Sequence, residues 1–259
     1  MENKIYVLII IYNKSCNDSI SYTCLKEIEN LNIIVCDNST ADFGNEALVN
    51  NDENIYINMN GNQGLSKAYN RVLEYLKACN SVVCLFDDDT QIPKGYFDEL
   101  DLLLESQEWD ICLPQVLCKN GLMSPVQLKK YSVKKINNLA SFDKQYIAGI
   151  NSGMAIKLSL LKNYNYDENI FLDFVDYNFI LEMRKKNAKI IVMNTQLHQS
   201  FSNENNSKES AKIRYKIKKK DLRYFYRGSF ISRLFFVYLI SKLKANLFLK
   251  FKDLSVLFW

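Results

Sequence analysis

Six short apolar runs, each bounded by polar or turn residues, recur at 4–11 (KIYVLIII), 32–36 (NIIVC), 54–57 (NIYI), 81–86 (SVVCLF), 110–113 (DICL) and 189–193 (KIIVM). Their length and richness in β-branched residues predict buried strands. Between the third and fourth, Leu65, Ala68, Tyr69, Val72, Leu73 and Leu76 recur at helical spacing and predict an amphipathic helix over 63–79. A second helix is expected near 94–104, and 114–145 reads as loops. Strands that alternate with helices build a mainly parallel α/β sheet, in which ligands sit beyond the carboxyl ends of the strands. Those ends carry Tyr12-Asn13, Asp37-Asn38-Ser39-Thr40 and Asp87-Asp88-Asp89-Thr90.

The 259 residues are 48% hydrophobic and 24% charged, a globular balance that excludes a disordered or collagenous chain. Only 8 Gly and 3 Pro leave little material for a flexible linker, so one compact domain with an appendage is expected. Seven cysteines form no CxxC pair, and Cys36, Cys84 and Cys112 lie inside apolar runs, which suits a reducing cytosol better than secretion. The N-terminus lacks the small-residue cleavage site of a signal peptide. Arg227, Arg233, Lys242 and Lys244 interrupt the apolar stretch near the C-terminus, so no membrane-spanning helix is expected. The net charge of +4 is unevenly spread: residues 208–252 hold 14 Lys/Arg against Glu209 and Asp221, a net of +12, which leaves −8 on the rest. A basic end on an acidic body points to an anionic partner, a membrane surface or nucleic acid.

Three aspartates directly after the fourth run are the sharpest chemical feature. Clustered carboxylates repel one another unless a cation or hydrogen-bond donors compensate. Mg2+ and Mn2+ prefer oxygen ligands and bridge carboxylates to a diphosphate. Asp87 and Asp89 point to one side of an extended segment and form the candidate ligand pair. A solvated acidic turn that caps the following helix is the alternative. His198, the one histidine, follows the last strand; a lone histidine is more often a surface or core residue, yet this one lies at another strand end. In FLDFVDYNF, Asp173 and Asp176 sit among bulky apolar residues at a helix start. Desolvation there would fit a carboxyl for general-base work, while helix capping is the plainer reading.

Taken in order, Tyr12-Asn13, Asp37-Asn38-Ser39-Thr40, Asn62-x-Gly64-x-x-x-Ala68-x-Asn70, the aspartate triplet, Asn151-Ser152-Gly153 and FLDFVD leading to His198 resemble family 2 glycosyltransferases with the GT-A fold over residues 4–200. LFDDDT followed by Pro93, the SGM element and Phe-x-Asp-x-x-Asp most resemble the rhamnosyltransferase-like and galactofuranosyltransferase-like members. LRYFYR at 222–227 resembles the segment after their catalytic domain. The resemblance implies a Rossmann-like, nucleotide-sugar-binding sheet and an inverting transfer. It implies that Asp37, with the backbone near Ile11 and Tyr12, holds the base and ribose of the donor. Asn62, Gly64 and Asp88 would belong to the same donor site. Asp87, Asp89 and His198 would coordinate Mn2+ or Mg2+. Asp176 would be the general base, with Asp173 the lesser candidate, and Asn151, Ser152 and Gly153 would shape the acceptor side. The chain departs from the family pattern at Arg71-Val72, Asn178, Glu182 and Asn187; of these, Asn178 and Glu182 flank the expected base and bear on acceptor geometry and donor sugar rather than on the metal.

Residues 1–210 are therefore expected to form the catalytic domain and 211–259 a basic, amphipathic helical tail. In 212–227 cations interleave with aromatics, and farther on Leu243, Leu247, Phe251 and Leu254 share one face, as in an interfacial helix. Phe235, Phe236, Leu239, Ile240 and the terminal Leu257-Phe258-Trp259 exceed what nucleic-acid binding needs, so an anionic membrane surface is the favoured partner. Packing of the tail on the body, or on another subunit of a homo-oligomer, stays open. The expected function is a metal-dependent inverting glycosyltransferase, peripheral on the cytoplasmic face of a bacterial membrane. It would move a sugar, first rhamnose from a dTDP- or UDP-linked donor, to a lipid-linked or polysaccharide acceptor of the cell surface. Galactofuranose or another hexose from a UDP-sugar, and a non-catalytic scaffold subunit, are the alternatives. Nucleotidyl transfer is disfavoured because no glycine-rich phosphate loop follows the first strand.

Overall fold

Along the first strand, β1 (Ile5–Ile11), Tyr6 and Leu8 enter one hydrophobic cluster while Val7, Ile9 and Ile11 enter a second on the other face. Both faces of β1 are covered, which is why its sequence reads as an unbroken apolar run. The computed structural model describes residues 4–129, 132–136, 143–199 and 207–259. Its further strands are β2 (Leu31–Asp37), β3 (Ile55–Asn58), β4 (Val82–Asp87), β5 (Thr90–Gln91), β6 (Ile111–Cys118), β7 (Gly121–Ser124), β8 (Val126–Lys129), β9 (Ser132–Lys135), β10 (Ile147–Ala148), β11 (Met154–Lys157) and β12 (Ile190–Gln199). The α-helices are α1 (Ile20–Leu25), α2 (Asn45–Asn51), α3 (Leu65–Leu76), α4 (Gly95–Ser106), α5 (Leu158–Leu161), α6 (Val175–Lys185), α7 (Lys208–Phe225) and α8 (Phe230–Phe251).

The main sheet has the order β3-β2-β1-β4-β11-β6-β12-β5, with β7 beside β6. β1, β2, β3 and β4 run parallel, as do β6 and β12; β11 and β5 run antiparallel to their neighbours. Helices α3 and α6 cover one face, and α1 and α4 with Trp109 cover the other. The expected α/β sheet is thus present, interrupted by the antiparallel β11. The stretch expected as loops differs: β6 runs on to Cys118, β7 folds back on it, and β8, β9 and β10 form a small antiparallel sheet. These strands are short and partly exposed, so they lack the long apolar signature of a doubly covered strand.

β12 also outruns its expected end at 193. Between the pairs Val192 with Leu113 and Gln196 with Gln115, three of its residues, Met193 to Thr195, oppose the single Pro114 of β6, and the N–H groups of Asn194 and Thr195 in this bulge donate to the Glu99 carboxylate of α4 at 2.7 and 2.8 Å. Pairing with β6 then resumes through His198. In the C-terminal helices, Tyr215, Asp221 and Leu222 of α7 are buried, whereas Ser232 is the buried residue of α8. Among the described residues no helix is long and apolar enough to cross a membrane.

Candidate active site

β4 delivers the aspartate triplet beside the carboxyl end of β1, with Asp87 level with Ile10. Hydroxyls fix the backbone of this turn. Ser19 donates to the Asp88 carbonyl at 2.9 Å, Ser21 accepts the Thr90 N–H at 3.1 Å and lies against the Asp87 carbonyl, and Ser152 accepts the Asp87 N–H at 3.4 Å. The side chains then alternate. Asp88 turns to an ion pair with Lys14 at 2.6 Å. Asp87 and Asp89 converge on Gln199, whose Nε2 donates to one oxygen of each at 2.9 Å. Burial, and then the neighbouring Asp89 charge, push the Asp87 carboxyl up to about 6, and burial raises Asp89 as well.

His198 does not join this pair. It is exposed between buried Leu197 and buried Gln199, so strand alternation turns it to the opposite face. The extension of β12 brings Gln199 to the aspartates in its place. Among the described residues no group of three His, Cys, Asp or Glu side chains gathers where a cation could sit. The two carboxylates do share their surroundings with Gln199 Oε1, which is buried and has no hydrogen-bond partner among the described residues. Together these are oxygen donors of the kind that Mg2+ and Mn2+ take.

A cleft of about 600 Å³ opens in front of the triplet, lined by Tyr12, Asn62, Gly64 and Asp88 together with Ile10, Asn38, Phe171 and Arg214. The side chains of two expected donor residues do not line this cleft. That of Ile11 is fully buried while Ile10 faces the cleft, which leaves the backbone role expected near Ile11 and Tyr12 untouched. Asp37 opens on a neighbouring cavity of about 720 Å³, where its carboxylate already accepts from Ser39 N at 2.9 Å, Asn45 Nδ2 at 2.8 Å and Tyr56 Oη at 3.0 Å. Its neighbour Asn38 reaches the cleft and donates to Asn62 Oδ1 at 3.1 Å. Gly64 has φ +84°, and a Cβ there would stand 2.6 Å from the Phe171 ring, so both conformation and space call for glycine.

Phe171 begins the loop that leads to the acidic pair. The N–H groups of Phe171, Leu172 and Asp173 donate to the Asp221 carboxylate of α7 at 2.9, 2.8 and 2.9 Å. Arg214, on the same side of α7, grips the Asp173 carboxylate with two nitrogens, and Lys218 stands 3.6 Å from it. Asp173 is thereby committed as an ion-pair partner. Asp176 enters α6 after Phe174, whose φ is +70°. Burial, with the nearby Asp87 and Asp173 charges, raises Asp176 to about 7, opposed by the Tyr177 N–H at 2.7 Å. The charges of Asp87 and Asp176 also both act on the buried Tyr69 hydroxyl. The Asp87 charge thus acts on Asp176, although Asp176 is not among the residues that line the cleft.

Asn151, Ser152 and Gly153, expected on the acceptor side, are buried behind the triplet. Ser152 braces Asp87, and the Gly153 carbonyl accepts from Tyr96 Oη at 2.8 Å. The sequence does not single out Gln199, Arg214, Lys218 or Asp221. The available signal for the last is that it is the lone acid between 210 and 252, three residues after Lys218 and seven after Arg214.

A largely parallel sheet with helices on both faces, its strand ends gathering paired carboxylates at a cleft, is the architecture of a GT-A transferase. Residues 6–163 match the model of Glycosyl transferase family 2, more than half of the chain, and the chain belongs to that family. No sequence among the curated proteins matches it significantly. Solved structures with a similar fold include S. aureus TarS 1-349 in complex with UDP, at 16% identity and TM-score 0.56, covering 95% of this chain and 72% of that one. GalNAc-T7 with UDP, GalNAc and Mn2+ matches at 11% identity and TM-score 0.60, covering 84% of this chain and 47% of that one. A mycobacterial protein matches at 13% identity and TM-score 0.55, covering 85% and 74%. At such identities the likeness is one of fold.

Proposed function

We propose that the chain transfers a sugar from a nucleoside diphosphate donor to an acceptor hydroxyl with inversion at the anomeric carbon. The observation that carries this reading is Asp176, a carboxyl raised to about 7 in part by the Asp87 charge, which opens α6 just after the Phe171-Leu172 loop that lines the cleft of the Asp87/Asp89 pair. A base whose pKa lies near the working pH is the efficient one. Asp176 takes the proton of the acceptor hydroxyl, whose oxygen bonds to the anomeric carbon. The bond from that carbon to the diphosphate oxygen breaks, leaving its electron pair on the nucleoside diphosphate. Asp87 and Asp89 would hold a divalent cation, with Gln199 in the place expected for His198. When bound, such a cation supplies Lewis-acid stabilisation of the departing diphosphate. Tyr12, Asn38 and Asn62 line the donor side.

The UDP complexes of TarS and GalNAc-T7 support a uridine donor. The motif resemblance supports rhamnose as the first sugar to test, from a dTDP or UDP carrier, and galactofuranose or another hexose from UDP as the second. Thermal shift against UDP-, dTDP- and GDP-sugars, with and without Mn2+ or Mg2+, tests the reading. A ligand at 100 times its Kd stabilises by about 2.7 kcal/mol. Metal-dependent stabilisation by one nucleotide class is expected, and Asp176→Asn should keep that shift while losing transfer. No shift with any donor would favour a scaffold subunit.

We place the acceptor, lipid-linked or a growing surface polysaccharide, at the cytoplasmic face of an anionic membrane. Phe230, Ile231, Leu234, Val237 and Tyr238 of α8 are each more than half exposed. The helix carries Arg233, Lys242, Lys244 and Lys250 and no acidic residue, so a second copy packed on it would set cations against cations. Sedimentation with vesicles containing phosphatidylglycerol, but not with pure phosphatidylcholine, is expected, and a salt-insensitive dimer would overturn this placement.

A further inference from the structure

Three consecutive N–H groups, those of Phe171, Leu172 and Asp173, end on the single carboxylate of Asp221, which is fully buried and uses both oxygens. Asp221 belongs to α7, beyond the 6–163 stretch that matches the family. The far edge of the same loop is tied to the donor side: the Phe171 carbonyl accepts the Leu65 N–H at 2.7 Å, and its ring closes on Gly64. Three residues after Phe171 the chain passes through Phe174 in the left-handed region, which a bulky residue adopts only when its surroundings impose it. Two residues later comes Asp176. An anion that gathers three N–H groups is what can impose such a path.

We propose that Asp221 is a positioning residue: its carboxylate sets the 171–173 loop and, through it, the direction of Asp176, making α7 a working part of the transfer site. This rests on Asp176 as the base. The geometry gives Asp221 no reach to substrate of its own; because Phe171 and Leu172 also line the cleft, a small loss of nucleotide affinity accompanies its removal, and the larger effect falls on the proton-transfer step. A misplacement of about 1 Å at a reacting group costs on the order of 100-fold in rate.

The test uses the full-length Asp221→Ala and Asp221→Asn variants, the second retaining one acceptor oxygen should the first fail to fold. Nucleotide Kd is expected to stay within about threefold, while kcat falls about 10- to 100-fold in Asp221→Ala and less in Asp221→Asn. Amide hydrogen exchange at Phe171 to Asp173 should quicken, and the Asp176 titration, followed by carboxyl carbon NMR, should move down by about one unit as water enters. A folded variant with unchanged kcat, or one whose Kd and kcat deteriorate by the same factor, overturns the proposal. Should the wild-type protein turn over no donor, the functional reading fails by itself. Exchange rates and an Asp176 titration that are unchanged in both variants then overturn the positioning role separately.

Discussion

Replacing Asp176 by Asn should stabilise the protein, and by an amount that depends on pH. The carboxyl rises from an ordinary 3.8 to about 7 in the fold, chiefly by burial. Between those values the folded state holds a proton that the unfolded chain has released, so wild-type stability falls as pH rises and the full cost is reached above pH 7. About three units at about 1.4 kcal/mol each give about 4 kcal/mol. Asn cannot ionise, and its amide oxygen can still accept the Tyr177 N–H that Asp176 accepts at 2.7 Å. The variant should therefore match wild type near pH 4 and exceed it by about 4 kcal/mol at pH 8, which for 259 residues is an increase in Tm of about 8 °C. Thermal denaturation from pH 5 to 8, in EDTA so that no cation alters the local field, reads this directly. A difference in Tm that does not change over that range would show that Asp176 titrates as an ordinary surface carboxylate, and would remove the basis for its role as base.

Gly64→Ala should cost about 2–4 kcal/mol in urea unfolding, because the new Cβ meets both the ring and the carbonyl of Phe171, at 2.6 and 2.8 Å, in a left-handed backbone. Gln199→Leu should weaken Mn2+ binding by about tenfold in calorimetry while His198→Ala leaves it unchanged, since Gln199 and not His198 faces the aspartates. Because the Asp87 carboxyl is raised to about 6 and a cation must displace its proton, Mn2+ affinity should fall as pH drops from 7.5 to 5.5, accompanied by proton uptake on release.

The strands covered on both faces, β1, β2, β4 and the first half of β12, are legible from apolar runs alone, and so is α3 from its spacing. His198 stands off the aspartate pair, and the side chains of Ile11 and Asp37 do not line the cleft, for a single reason. Gln199, Ile10 and Asn38 line it, each a neighbour of the expected residue on the same strand or just past its end. Side chains on a strand alternate with period two, so a motif locates the strand end but not the face on which a given member stands. That parity is decided by pairing, and for β12 by a bulge anchored to Glu99, a residue 95 positions away in sequence. Where the motif itself skips a residue, as in Asp87 and Asp89, parity is built in and the pair lies together. Asp221 is illegible for a different reason: its partners are N–H groups 48 to 50 residues earlier, and backbone donors leave no trace in side-chain identity.

The hydroxyls beneath the triplet bear on how the cleft responds to temperature. Ordering a loop costs about 1–2 kcal/mol of conformational entropy per residue. Ser19, Ser21 and Ser152 hold the peptide groups of 87–90, and the Thr90 hydroxyl bonds to that of Ser152, so that cost falls on folding and not on binding. Association at this turn should then carry a small entropic penalty and little change in heat capacity from local folding, as for a ligand entering a rigid crystal site rather than closing a flap.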